Sequence, residues 1–211
     1  MRVVPLSKEN EYSAILEAVI TLKRGGLVVA PTDTVYGLCA DARSSEAVDK
    51  IFTVKGRKKD NPIPVFIDSF EKLNDVAYIS DSATKKFLEK IWPGKITCVL
   101  PSRGWMPIEL RGQGKLNIGV RMPDYNFILS LIKSFGGSLT GTSANLSGRE
   151  ETNKISEVVS SFQHMPFKPD LIIDAGDLPE SLPSTVLDCT VKPPKIIREG
   201  AVLYKKIEEY F

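Results

Sequence analysis

Two basic side chains, Lys55 and Arg57, stand one residue apart at the end of a segment with helical spacing. Apolar residues recur through positions 45–54 at intervals of three and four, which predicts an amphipathic helix packed on a core. Both charges are then expected to face outward together as an anion site. The alternative is a solvated helix end whose charges only complement the helix dipole.

A second group of ligand-type residues shares one face of a predicted strand over residues 116–121. Alternation places Asn117, Gly119 and Arg121 on that face and apolar residues on the other. Glycine lets a ligand approach the backbone, and arginine can bind a carboxylate or phosphate with two parallel hydrogen bonds. The pattern predicts a carboxylate or phosphate site, against the alternative of a solvated outer face.

Polar loops follow two further predicted strands, residues 27–30 and 138–142. Ligands of α/β proteins bind at the carboxyl ends of strands, although the same residue types also occur in ordinary turns. The candidate side chains in these loops are Thr32, Thr34, Tyr36, Ser143 and Asn145.

Strands and helices alternate along the whole chain without a repeat, a linker or a change in composition. This predicts one α/β domain over residues 1–211 with a mixed parallel and antiparallel sheet, although two small domains are an alternative. Polar clusters lie at or between strand ends at residues 32–36, 55–61, 117–121 and 143–145, and Ser184 and Arg198 add to them. Neither glycine-rich phosphate motif occurs, so scattered side chains would hold any nucleotide.

The bulk properties are those of an ordinary globular protein: 211 residues, 42% hydrophobic, 26% charged and a net charge of +2. That charge does not by itself indicate a nucleic-acid binder. The three cysteines lie far apart, which favours reduced thiols, and the single histidine excludes a two-histidine metal motif. With no signal peptide and no apolar run near the ~18 residues of a membrane span, we predict a cytoplasmic protein without membrane contact.

In its motifs the chain resembles the YrdC/TsaC family of threonylcarbamoyl-AMP synthases, over roughly residues 12–200. The matching motifs are Gly26-Leu-Val-Val-Ala-Pro-Thr-Asp-Thr-Val-Tyr-Gly-Leu38, Lys55-Gly-Arg57, Asn61-Pro62, Trp92-Pro-Gly94, Gly119-Val-Arg-Met-Pro123, Thr142-Ser-Ala-Asn-Leu-Ser-Gly148, Pro183-Ser-Thr185 and Arg198-Glu-Gly200. The resemblance implies a single YrdC-like domain, with a curved mixed sheet and flanking helices around a basic cavity.

The resemblance also implies a nucleotidyltransferase that joins L-threonine, bicarbonate and ATP, with Mg²⁺, into threonylcarbamoyl-AMP and pyrophosphate. The adenylate would serve N6-threonylcarbamoyladenosine modification of tRNA through a separate threonylcarbamoyl-transferase complex. Contact with tRNA or double-stranded RNA is a further expectation. The alternatives are an RNA-binding module without catalysis and a paralogous carbamoyl-adenylating enzyme of cofactor maturation.

Matching positions imply the site residues, while the metal ligands stay unknown. The implied catalytic residues are Lys55, Arg57, Ser143 and Asn145. These four would surround ATP together with Asn61, Asn117, Glu151 and Arg198. Threonine would contact Thr34, Arg121, Gly141 through its backbone and Ser184, with Arg121 on its carboxylate. We expect Lys55, Arg57 and Arg198 to neutralise the triphosphate with Mg²⁺.

Four residues, at three places in the chain, depart from the family pattern. Phe66 stands where some relatives have a histidine that contacts threonine, and Gly141-Thr142 replaces a more usual small or proline pair. Lys58 stands where a proline often follows the arginine. The amino-acid selectivity is therefore left open. The chain ends at Phe211, as expected of a short form without an additional C-terminal domain.

Overall fold

Helices and strands follow one another along the chain in the computed structural model, which describes residues 1–112, 114 and 116–210. The strands are β1 Arg2–Pro5, β2 Val28–Ala30, β3 Gly37–Cys39, β4 Val65–Phe66, β5 Ile96–Pro101, β6 Asn117–Arg121, β7 Leu139–Thr140, β8 Thr142–Ser143, β9 Leu171–Asp174, β10 Thr185–Asp188 and β11 Lys195–Arg198. The α-helices are α1 Glu11–Lys23, α2 Ser45–Lys55, α3 Phe70–Val76, α4 Ser82–Ile91, α5 Asn126–Phe135, α6 Ile155–Gln163 and α7 Tyr204–Ile207. Short 3-10 helices span Ile108–Leu110 and Glu208–Tyr210.

The strands form two mixed sheets. The first has the order β1-β9-β2-β3-β8, and the second has the order β11-β10-β5-β6-β4-β7. Strand β9 pairs in parallel with β1 and β2, β5 pairs in parallel with β10, and β6 pairs in parallel with β4. The other strand pairs are antiparallel. The predicted α/β class with mixed pairing is confirmed, although the strands divide into two sheets where one was expected.

Strand β2 shows how the two hydrophobic cores meet the first sheet. Val29 belongs to the larger core, which also contains Val65 of the second sheet and Ile51 of α2. Its neighbours Val28 and Ala30 point to the other face, into a smaller core that contains side chains of α1 and α5. Because both faces of β2 are covered, its sequence is the continuous apolar run that predicted it.

Several elements differ from expectation because distant partners create them. Strand β1 forms by parallel pairing with β9. Strand β3 begins directly after the polar cluster at residues 32–36 and lies between β2 and β8 in the first sheet. The predicted strand 138–142 is two short strands, and between them the backbone N–H of Gly141 donates to the carbonyl oxygen of Pro64 at 2.8 Å. Helices α3 and α7 were not expected.

Two helices also differ in detail from what the sequence predicts. The side-chain type of Asp124 predicts a helix N-cap there, but α5 begins at Asn126 with Tyr125 at its N-cap. The spacing of Tyr12, Ile15, Leu16, Val19 and Ile20 predicts one apolar stripe on α1. Tyr12, Leu16 and Ile20 are exposed, so only Ile15 and Val19 of this stripe enter the core. In the part of the chain that is described, no helix has both the length and the apolar character that crossing a membrane requires.

Candidate functional site

A cavity of about 380 Å³ lies over one face of the second sheet. Its floor follows the strand register: Val186 on β10 is paired with Thr97 on β5, and Val99 on β5 is opposite Gly119 on β6. Residues 32, 34–37 and 141–143, which lead into or belong to the first sheet, also line the cavity. The volume falls in the usual range for small-ligand sites.

Nine of the twelve residues expected at the site line this cavity, although they come from both sheets and from loops far apart in the chain. They are Thr34, Arg57, Asn61, Arg121, Gly141, Ser143, Glu151, Ser184 and Arg198. Thr32 and Tyr36, candidates from their loop position, line it as well. Lys55, Asn117 and Asn145 do not belong to the lining.

The outer part of the cavity is basic. Arg57 is fixed by Nε–H donation to the carbonyl oxygen of Asn61 at 2.9 Å and by Nη2–H donation to that of Pro62 at 3.1 Å. Arg198 donates through Nη2 to the carbonyl oxygen of Ser184 at 2.8 Å, and its Nη1 lies 3.8 Å from Glu151 Oε1. Burial lowers the pKa of Arg57, the charge of Arg198 lowers it further, and Glu151 opposes both. Two guanidinium groups beside one carboxylate suit a polyanion.

Lys55 does not face outward beside Arg57, so that expectation is wrong. The left-handed Gly56, at φ 60°, ends α2 and turns the chain between the two cations, and Lys55 is only 2% exposed. Its Nζ donates to the carbonyl oxygens of Ser143 at 2.5 Å and Asn145 at 2.7 Å, and to Asn145 Oδ1 at 3.0 Å. Lys55 therefore holds the loop that carries Ser143 against the end of α2.

The environment of Lys55 makes it titratable near neutrality. Burial, with a smaller effect from the charge of Arg57, lowers its pKa to about 7, while Glu151 opposes the shift. Asn145 completes the loop contact, since its Oδ1 also accepts from Ser143 Oγ at 2.8 Å and its Nδ2 donates to the carbonyl oxygen of Arg149 at 2.6 Å. Lys55 and Asn145 thus position the cavity wall from behind it.

Arg121 is held in a buried ion pair that the sequence did not reveal. Its Nη2 lies 2.5 Å from Asp33 Oδ1, and the two side chains are 4% and 7% exposed. Its Nη1 donates to Thr34 Oγ1 at 2.9 Å, and its Nε donates to the carbonyl oxygen of Gly94 at 3.0 Å. Burial lowers the pKa of Arg121, and the neighbouring Asp33 counteracts this. With five N–H donors in all, the guanidinium keeps donors for a ligand carboxylate.

Asp33 itself was missed because an acidic residue between two threonines after a buried strand is typical of a turn. Its Oδ2 is buried and has no hydrogen-bond partner among the residues that the structure describes. Thr97 was missed as well, and its Oγ1 lies 2.9 Å from Ser184 Oγ. By contrast, Asn117 lies at the outer end of β6, where its backbone oxygen accepts from the N–H of Gly112 at 2.8 Å.

Comparison with known proteins gives a consistent picture. The model of the Sua5/YciO/YrdC family, described as "Telomere recombination", matches residues 21–200. The chain is 36% identical to the threonylcarbamoyl-AMP synthase of Pyrococcus abyssi, over 89% of this chain and 54% of that protein. It is 33% identical to the threonylcarbamoyl-AMP synthase of Bacillus subtilis, over 92% of this chain and 55% of that protein.

A solved structure agrees with these sequence matches. The crystal structure of P. abyssi Sua5 complexed with L-threonine superposes with a TM-score of 0.89 and 34% sequence identity, over 100% of this chain and 60% of that one. The chain spans about half the length of the two curated relatives named above. The resemblance found in the sequence motifs is thereby confirmed at the level of the family.

Proposed function

Because the chain belongs to the Sua5/YciO/YrdC family, we propose that it is an enzyme, an L-threonylcarbamoyladenylate synthase. It would condense L-threonine, bicarbonate and ATP to threonylcarbamoyl-AMP and pyrophosphate. The observation that supports this most is the convergence of Arg57, Arg198 and Arg121 on one cavity. The first two suit a polyphosphate, and the third suits a carboxylate.

The adenylation step needs positioning and charge neutralisation rather than an acid or base. Before that step, the neutral threonine amine and bicarbonate form a carbamate: a C–N bond forms, the C–OH bond of bicarbonate breaks, and the hydroxyl leaves as water with a proton from the nitrogen. A carbamate oxygen then attacks the α-phosphorus of ATP while the bond from that phosphorus to the β-phosphate oxygen breaks and pyrophosphate leaves. Arg57 and Arg198 would stabilise the charge that develops on the phosphates, because fixed donors in a partly buried site act strongly. Asn61 holds Arg57 through its backbone oxygen.

The amino acid would bind in the inner part of the cavity. Arg121 would take its carboxylate, and the backbone of Gly141 and the hydroxyl groups of Thr34 and Ser184 would supply further hydrogen bonds. Ser143 would contact the nucleotide directly, whereas Lys55 and Asn145 would act by holding its loop. The contact of Asn117 with ATP stays a prediction, and its place outside the lining does not support it.

Mg²⁺ fits this site as an ion held mainly by the nucleotide. Among the described lining residues the only carboxylate is Glu151, and its Oε2 is buried without a hydrogen-bond partner there. No group of three or more potential metal ligands occurs in the part of the chain that the structure describes. Since Mg²⁺ usually takes one or two carboxylates plus phosphate oxygens, Glu151 would be its protein ligand. When bound, the ion would neutralise phosphate charge.

The wider assignments are further parts of the proposal. The adenylate would pass to a threonylcarbamoyl-transferase complex that modifies tRNA, and direct contact with tRNA or double-stranded RNA stays a prediction. A cytoplasmic location agrees with three buried free cysteines, Cys39, Cys98 and Cys189. A single domain over residues 1–211 agrees with a larger hydrophobic core that contains side chains of both sheets.

Pyrophosphate release tests the activity directly. With ATP, Mg²⁺ and bicarbonate, we expect release to depend on L-threonine and to fall when bicarbonate is removed. Serine and glycine serve as comparison substrates, and mass spectrometry should detect threonylcarbamoyl-AMP. Pyrophosphate release that does not depend on L-threonine would overturn the proposal. If release depended on a different carbamoyl donor, the carbamoyl-adenylating alternative would be favoured, and salt-sensitive RNA binding without turnover would favour the RNA-binding module.

The titration of Lys55 predicts a pH-dependent affinity for ATP. Its ammonium form can serve three oxygen acceptors, but the neutral amine has only two N–H groups, and its pKa is about 7. A bound anion favours the protonated form, so affinity should fall several-fold as pH rises from 6 to 8.5. Isothermal titration calorimetry should show a weaker pH dependence in Lys55→Arg, which stays charged. The ionisation of ATP itself is common to both proteins, so equal pH profiles would contradict this role.

A further inference from the structure

The ring of Phe66 is enclosed by Arg121 on β6, by Gly37 on β3 and by Gly141, which lies between β7 and β8. Phe66 on β4 is paired in parallel with Arg121 on β6, so their side chains lie on the same face of the sheet. The ring lines the cavity, is 4% exposed, and has its centroid 5.8 Å from the guanidinium carbon of Arg121. It therefore lies beside the group proposed to bind the amino-acid carboxylate.

Gly141 leaves the space that this ring occupies. A Cβ atom at Gly141 would lie 2.3 Å from Phe66 Cε1 and 2.4 Å from Cδ1, far inside van der Waals contact. The backbone there is tied to Pro64 by the 2.8 Å hydrogen bond, so it cannot withdraw without losing that bond. On the other side, a Cβ atom at Gly37 would lie 3.3 Å from Cε2. Two bare backbone positions thus form a slot for one aromatic ring.

We propose that Phe66 and Gly141 form a coupled pair that determines which amino acid the site accepts. The ring makes one wall of the amino-acid subsite apolar and offers no hydrogen-bond donor or acceptor. That wall selects by volume and by contact with a methyl group, so it favours a small amino acid with a β-methyl group over larger ones. The inference rests on the proposed function, because it concerns the amino-acid subsite of that reaction.

The coupling is tested by a double-mutant cycle on thermal stability. Gly141→Ala alone should lower Tm by about 5 °C or more, since the new methyl group overlaps the ring. In a Phe66→Ala background the same change should cost much less, because the ring is gone. Gly104→Ala is the matched control, since a Cβ atom there meets no other atom within 4 Å. Additive effects in the cycle would overturn the coupling.

The selectivity is tested by amino-acid binding, measured by calorimetry with threonine, serine, valine and leucine. In Phe66→Ala, the affinity for leucine relative to threonine should rise by about tenfold or more, and the discrimination of threonine from serine should weaken, since one methyl contact is worth about 10- to 200-fold. Phe66→Leu fills more of the slot than alanine does, so its amino-acid preference should lie between those of the unaltered protein and Phe66→Ala. It replaces Phe66→Ala in the test if that variant does not fold.

The outcomes separate this inference from the proposed function. If the unaltered protein binds none of the four amino acids, the proposed function fails. If it binds threonine but the Phe66 variants keep the same order of preference, only the specificity role of the pair fails. A shifted preference together with a non-additive cycle supports both the subsite and the coupling.

Discussion

Replacement of Asp33 by alanine is expected to lower the free energy of unfolding by about 3–5 kcal/mol, because removing one partner of a buried ion pair leaves the other charge uncompensated. Asp33 and Arg121 are 7% and 4% exposed, so solvent cannot screen the remaining guanidinium. Urea denaturation at pH 7 measures the loss. The matched control is Asp41→Ala, whose partner Arg43 is 47% exposed, and it should cost less than about 1 kcal/mol.

A second variant separates charge from shape at this position. Asp33→Asn keeps an acceptor oxygen near Arg121 Nη2 but removes the negative charge, so it should lose less stability than Asp33→Ala while still weakening threonine binding. The double variant Asp33→Leu/Arg121→Met removes both charges and should recover much of the stability without recovering threonine binding. Unchanged stability in Asp33→Ala would mean that another group neutralises Arg121.

Most of the strands that form the cavity floor could be predicted from the sequence. The alternation of β6 placed Gly119 and Arg121 on one face, and both line the cavity. The apolar run of β2 predicted a strand covered on both sides, and the loop after it supplies Thr34. These signals are local, since they depend on side-chain periodicity within one strand and on the residues that directly follow it.

The parts that could not be predicted depend on contacts between distant residues. A lysine at a helix end ordinarily faces water, and Lys55 turns inward only because carbonyl oxygens about 90 residues further along the chain accept its hydrogen bonds. Asp33 gains its importance from Arg121, 88 residues away. Phe66 and Gly141 were each recognised as unusual, but only their contact shows that one requires the other.

Arg57→Ala is expected to reduce kcat/KM for ATP by about 10²- to 10³-fold, a loss of about 2.7–4 kcal/mol of transition-state stabilisation. Two backbone carbonyl oxygens fix the side chain through Nε and Nη2, so its remaining N–H donors are oriented before the nucleotide binds. The loss should appear mainly in kcat, because negative charge grows on the phosphates in the transition state. KM for threonine should change little, since Arg121 rather than Arg57 would hold its carboxylate.

Steady-state pyrophosphate release measures this effect, and two comparisons identify its cause. Arg57→Lys keeps the positive charge but loses the planar fork, so it should retain part of the activity. Arg24→Ala removes an exposed guanidinium that does not line the cavity and should leave kcat/KM unchanged. An Arg57→Ala enzyme with normal kcat/KM for ATP would place the triphosphate elsewhere. A group near the phosphates should affect kcat, because it acts on the negative charge that develops on them in the transition state. A loss confined to KM for threonine, with normal kcat, would therefore assign Arg57 to the amino-acid subsite.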